Sequence, residues 1–311
     1  MSEYTELTAK IEALEKRVKY LEDTFATLAD MNKSGEIGQY IAQRQRALAA
    51  SKLVNAAAGT QKLNADAQQK VIDQLASEKA AMDAKIEEAI RASAQSAPAE
   101  DDLAEQFTYR DVPGGVEIQG IKKYIPEEEL FVPEEINGKP VVSIGRAAFK
   151  NMKFKKAILP KWITCIKESA FENCSDLEVV KLPDALEVLE KACFASTNVR
   201  ELVMPDGLQT IEDRCFNGCY QMEKAILNKQ LMKIGLGAFS WTKIQRVIIP
   251  ENVQIIEDSF NFGTTVVVLG LKTKLGESFP RKGTFIYCLA GSDILKNANE
   301  KGIPVKALSG I

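Results

Sequence analysis

Apolar residues follow two different rhythms along this chain, and the change between them falls near residue 100. Up to residue 92 they recur every three to four positions, the spacing of one helix face. From Phe107 onward they alternate with polar residues over short stretches, as half-buried strands do. Between residues 141 and 271 the alternating pattern itself repeats. Phe149, Phe171, Phe194, Phe216, Phe239 and Phe260 return at intervals of 22, 23, 22, 23 and 21 residues. Five positions before each stands Ile144, Ile166, Leu189, Ile211, Ile234 or Ile255, and Pro160, Pro183, Pro205, Asn228 and Pro250 follow the first five. A period of this length predicts a solenoid, whose units are each too small to hold an interior alone.

Every unit reads as a short strand, a turn, a second extended piece and a tight turn closed by the phenylalanine. Proline suits the end of the first strand, where it removes no ladder hydrogen bond. Within that strand side chains alternate faces. If Ala157 and Leu159 point inward, Lys156 and Ile158 point outward. One outward column then reads Ile158, Lys181, Val203, Ile226 and Ile248, and beside it run Lys156, Val179, Glu201, Lys224 and Arg246. An apolar stripe rimmed by charge is a candidate protein-binding face. The plainer alternative is that β-branched residues suit strands and are shielded by their neighbours.

The stretches LEVVKLPDALEVLEKACF (177–194) and VRELVMPDGLQTIEDRCF (199–216) fit L-x2-V-x-L-P-x2-I-x2-I-x4-A-F and its close variants. This pattern resembles the BspA-type leucine-rich repeat family, over residues 107–311. The resemblance implies a right-handed, β-rich leucine-rich-repeat solenoid of about six repeats. It also implies a role in binding proteins or surfaces, often outside bacterial cells, as in adhesion. Large aliphatics in the outward column depart from the small polar residues that the family usually places there. Repeats 141–271 are expected to lie between an N-terminal cap at 107–140 and a C-terminal cap at 272–311. In the first, FTYRD, GVEIQG and the Val132-Pro133 region read as strands, with a turn at Asn137-Gly138. In the second, FIYCLAGSDILKNANEKGIPVKAL (285–308) reads as a strand followed by a short helix.

Residues 1–92 are expected to be helical and 93–106 a linker, SAQSAPAEDDLA forming most of it. A heptad runs over 4–31, with Leu7, Leu14, Leu21 and Leu28 at one core position and Tyr4, Ile11, Val18 and Phe25 at the other. Such a pattern favours a parallel homo-oligomer through this segment, and Lys10–Glu15 and Arg17–Glu22 pairs agree with it. The same heptad also suits an amphipathic helix packed within its own chain. Asn32 to Gly38 breaks the pattern, and residues 39–57 are again helical in composition. A third helix is predicted over about 61–92, with Ile72, Leu75, Met82, Ile86 and Ala89 near one face; hairpin and continuing stalk both remain open.

Composition narrows the chemistry. Histidine is absent among the 311 residues, which removes Ser-His-Asp, Cys-His and His-metal sites together. The net charge of −3 gives no electrostatic footprint for nucleic acid. Phosphate-binding loops, nucleophile elbows and paired Cys-x2-Cys motifs are missing, so neither an enzyme, a cofactor nor a metal is expected. Glu127, Glu128, Glu129, Lys122, Lys123, Lys155 and Lys156 read as surface charge. Cys193 and Cys215 take the place held by Ala148, Ala170 and Ala238, and Cys174 and Cys219 each fall three residues after a phenylalanine. Those are repeat positions, so six free thiols are expected. No apolar run is long enough to span a membrane. The sequence as given, without a leader peptide, reads as cytoplasmic; trimming of a longer chain would restore the cell-surface location that the resemblance implies. The function expected is a non-enzymatic binding module presented by an oligomerising helix. Its alternative is an intracellular scaffold whose N-terminal helices bind the partner.

Overall fold

Six buried rings run through the interior as one column. Neighbouring centroids lie 5.2 Å apart from Phe149 to Phe171, then 4.9, 5.7, 5.3 and 5.6 Å on to Phe260, and the last four pairs are stacked within 13° of parallel. The column expected from the period is therefore present, one ring to a rung. This computed structural model of the chain describes residues 65–91, 104–122, 128–261, 263–277, 284–300 and 303–308. The heptad at 4–31, the helix at 39–57, the linker around 93–103, Lys123 and Glu127 lie outside those residues.

The second strand of each unit builds the continuous ladder. β2 (Gly115–Ile121), β5 (Lys139–Ile144), β7 (Cys165–Ile166), β9 (Val188–Leu189), β11 (Thr210–Ile211), β13 (Lys233–Ile234), β15 (Ile255–Ile256) and β17 (Lys274–Leu275) pair in parallel. The ladder thus continues into both caps, and β1 (Phe107–Val112) closes one end as an antiparallel hairpin with β2. There Phe107 meets Phe149 edge-on at 6.2 Å and ends the ring column. β4 (Glu135–Ile136) turns into β5 at Asn137 and Gly138, both with positive φ (52° and 69°), which is the two-residue hairpin geometry that Asn-Gly favours.

First strands form three shorter sheets. These are β3 (Glu129–Phe131) with β6 (Lys156–Ile158) and β8 (Val179–Val180); β10 (Glu201–Val203) with β12 (Lys224–Ile226); and β14 (Arg246–Ile249) with β16 (Thr265–Val268), β18 (Phe285–Cys288) and β19 (Val305–Ala307). Between β18 and β19 lies a helix (Asp293–Glu300), which buries Ile294 and Ala298 against the last rungs. The strand-then-helix cap expected of 285–308 has this form.

Tight turns repeat with the rings. Two residues before the ring, Ala147, Ser169, Ala192, Arg214 and Gly237 take φ between 53° and 67°; two residues after it, Asn151, Asn173, Ser196, Gly218 and Trp241 do the same at 59–76°. Non-glycine residues resist this left-handed shape. Hydrogen bonds between rungs hold it: the N–H of Phe149, Phe171, Phe194, Phe216 and Phe239 donates to the next rung at 2.7–2.9 Å. Cysteines serve the same stacking. The thiols of Cys174 and Cys219 donate to the carbonyls of Phe149 and Phe194, one rung back, at 3.0 and 3.2 Å, while Cys193 and Cys215 touch at 3.1 Å between sulfurs. All six thiols are free. Asn228, standing where other units have proline, donates from Nδ2 to the carbonyls of Pro205 and Leu208 and ties its rung to the one before.

One alignment is corrected. In the last unit Ile256, not Ile255, pairs with Ile234 and is fully buried, whereas Ile255 is 49% exposed. A residue is missing between strand and ring there, so counting back five from Phe260 lands on the solvent side.

Candidate protein-binding face

Strand register fixes where the outward column runs. Phe131 pairs with Ile158, Val203 with Ile226, and Ile248 with Val267, which in turn pairs with Tyr287. Beside it, Glu129 pairs with Lys156, Lys156 with Val179, Glu201 with Lys224, and Arg246 with Thr265. Eight of the nine expected face residues stand at these register positions, and Lys181, just past β8, reaches the same side through its ion pair with Glu87.

That side is not open. The helix α1 (residues 65–91) lies along it and belongs to the same unit as the rungs. Val203, Ile226 and Ile248 are only 9%, 3% and 9% exposed, so the expectation of an exposed apolar stripe is corrected. Met82 and Ile86 pack on Val203 and Ile226, with Leu75, Ile90 and Val179 at the margin. Val71 packs on Ile248, Val267, Leu269, Leu289 and Leu308, joined by Ala67, Ile72 and Leu75. Within the helix expected over 61–92, residues 65–91 are helical, and the apolar side expected of them lies on the first strands.

Lengths match. From Ala67 to Ala89 the helix advances about 33 Å. Stepping from Lys306 back to Lys156 crosses seven rung spacings, about 34 Å.

Charges follow the same geometry. Along the strand starts, Lys224 pairs with Glu78 at 2.6 Å and Glu201 with Lys85 at 2.6 Å. Toward the prolines, Asp206 pairs with Lys79 at 2.7 Å, Lys181 with Glu87 at 2.8 Å, and Glu251 accepts from Gln68 at 3.2 Å. Lys156 bonds Glu129 at 3.0 Å and donates to the Ala89 carbonyl at 3.3 Å, near the C-terminal end of α1, where a cation is favoured. The hydrogen bond from Lys224 holds the Glu78 carboxyl below its usual range, and the bond to Glu87 raises the Lys181 ammonium. Asp83 behaves oppositely: burial pushes its carboxyl up against the pull of Lys79 and Lys181, and Glu87 and Asp184 push the same way. Ile158 is half-buried beyond the main contact, and Arg246 is exposed beside Gln245.

Three grooves remain beside α1, of about 610, 400 and 330 Å³; Leu75, Ile226 and Ile248 line the first two, and Asp83 and Asp184 the third. The sequence reading missed Val267, Leu269, Leu289 and Leu308, which lengthen the apolar face at its C-terminal end. The run TVVV at 265–268 was the available signal, since it aligns with RVII at 246–249. Among the described residues no group of three or more acidic or cysteine side chains is placed to hold a metal ion. Cys165, the one half-exposed thiol, is pushed up to about 12 by burial and by Glu190, far from the reactive range. No helix among the described residues is long and apolar enough to cross a membrane.

A profile of the BspA type leucine-rich repeat region matches residues 142–265 in six copies. No characterised protein sequence matches the chain. Similar solved structures include the leucine-rich repeat protein TpLRR of T. pallidum, 23% identical, TM-score 0.47, covering 68% of this chain and 97% of that one. A leucine-rich repeat protein of Bacteroides ovatus is 19% identical, TM-score 0.40, with 65% and 66% covered. A leucine-rich cell surface protein of Faecalibacterium prausnitzii is 18% identical, TM-score 0.42, with 57% and 55% covered.

Proposed function

We propose that the chain, whose residues 142–265 match the BspA type leucine-rich repeat region, is a non-enzymatic protein-binding module whose first-strand face takes the partner. One observation carries this reading: the face already buries an amphipathic helix, through an apolar column with ion pairs on both sides. Apolar centre and charged rim are how protein interfaces are built. Lys156, Lys181, Glu201, Lys224 and Arg246 supply the rim; Ile158, Val203, Ile226 and Ile248 supply the centre.

Residues 4–31 complete the proposal as a homo-oligomerisation helix, through Leu7, Ile11, Leu14, Val18, Leu21, Phe25 and Leu28. Several tethered faces gain avidity for a repetitive target such as a cell surface. A second reading gives partner binding to the N-terminal helices and leaves the solenoid as a body. Since α1 spends its apolar side on the rungs, that reading rests on residues before 65.

A photo-reactive residue placed at Lys181 or Arg246 of the full chain, in its native cells, tests the face. Adducts to a partner are expected from these positions and not from Lys233 on the opposite ladder; adducts from Lys233 alone contradict the proposal. Light scattering tests the tether. The full chain is expected to be oligomeric, and a Leu14→Asp/Leu21→Asp chain monomeric.

A further inference from the structure

The occupant of the face is a helix of this chain, and its fit is partial. Of its 27 residues (65–91) only Val71, Met82 and Ile86 are buried. Leu75 sits over the middle of the column yet fills neither of the two larger grooves, although Ile226 and Ile248 line both. Asp83 is half-buried, and the burial of its carboxylate opposes docking; Asp184 of the rungs adds repulsion that Lys181 offsets. The Lys181–Glu87 and Asp206–Lys79 pairs reach solvent, where each adds little. What the contacts do specify is a pattern. A ridge at 71, 75, 82 and 86 must meet the column, with an acidic then a basic residue at 78 and 85 facing Lys224 and Glu201, and a basic one at 79 facing Asp206. A helix with the opposite charges would be rejected by the same rim.

We propose that this face is a recognition site for an amphipathic helix of a partner protein, and that α1 is a placeholder in cis that the partner helix displaces. The partner fits if it repeats the ridge and the charge order and improves on α1 at two points. One is a larger apolar residue in place of Leu75, which would enter the grooves; the other is an uncharged residue in place of Asp83, which would spare the cost of burying a carboxylate. The cis helix lowers apparent affinity by the fraction of time it leaves the face free. It therefore blocks weak ligands and admits strong ones. This inference rests on the face being the partner-binding surface, which cross-linking at Lys181 and Arg246 tests separately; helix specificity can fail while that reading stands, and the reverse.

The test is fluorescence anisotropy of a labelled peptide of residues 63–92 with the full chain. Binding to the wild-type chain is expected to be weak. A Met82→Asp/Ile86→Asp chain, which loosens α1 without touching a rung, is expected to bind at least tenfold tighter. In that background Lys224→Glu/Glu201→Lys should cost at least tenfold. A peptide carrying Glu78→Lys/Lys85→Glu should recover it, which excludes a folding defect as the cause. A peptide with Leu75→Phe/Asp83→Ala should bind at least tenfold tighter than the original. Equal binding by wild-type and loosened chains, or binding unaffected by the rim exchange, overturns the proposal. So does a one-to-one complex between wild-type and loosened chains in a Leu14→Asp/Leu21→Asp background, because the occupant would then be a second copy.

Discussion

Ala192 holds a backbone shape that a Cβ resists, at φ 54°, two residues before the ring of Phe194. Its amide donates to the Asp213 carbonyl at 3.0 Å, so the turn cannot relax without giving up a rung contact. Ala192→Gly is expected to raise stability by about 0.5–1 kcal/mol, since the left-handed cost for an L-residue is about 1–2 kcal/mol and glycine returns part of it as unfolded-state entropy. Urea unfolding checks this; a loss of similar size, as in an ordinary strand, would contradict it. Glu117 makes a pH-dependent case. It is 1% exposed, and burial alone would raise its pKa; hydrogen bonds from Lys167 and Ser143 and the charges of Lys167 and Arg110 outweigh that and leave it lowered. A carboxyl lowered on folding stabilises above its unfolded value of 4.5, and the contribution fades as pH falls through the lower folded value. Glu117→Gln is expected to cost about 1–3 kcal/mol at pH 7 and to flatten acid unfolding below pH 4.5; an unchanged acid profile would contradict the network. The ring positions were legible because period and residue type recur together. Ile256 was not, because a one-residue deletion shifts the count without changing the composition.

At the scale of elements, short strands and long-range order coexist because each two-residue strand is one link of a ladder that runs through both caps. The Asn137-Gly138 hairpin and the strand-helix cap could be read from local chemistry alone. The apolar side of α1 could also be read, since Leu75, Met82 and Ile86 recur at helical spacing. What it rests on could not, because a hydrophobic stripe says that something covers it and not which surface does. The outward column had the same ambiguity from the other side, and an apolar stripe on a helix and another on a sheet were one interface seen twice. Ala81, exposed on α1, offers a clean perturbation. Ala81→Gly is expected to weaken the helix by about 1 kcal/mol, lowering α1 helicity by circular dichroism while the unfolding midpoint of the rungs stays in place. A rung midpoint that fell with it would mean that α1 is an integral part of the stack.

For the whole molecule, the consequence is a division of labour. The rungs hold one another through rings, turns and ladder, and α1 is added along the face that the stack presents. A truncation at the sequence-based linker near residue 101 would therefore remove the cover and expose the column, changing more than oligomeric state. Hydrogen exchange of the full chain, wild type against Ile226→Asp/Ile248→Asp, tests the central claim most directly. If the outward column holds α1, amides of 71–90 lose protection in the variant, while those of the turns from Phe171 to Phe239 keep theirs. Unchanged protection across 71–90 would contradict it.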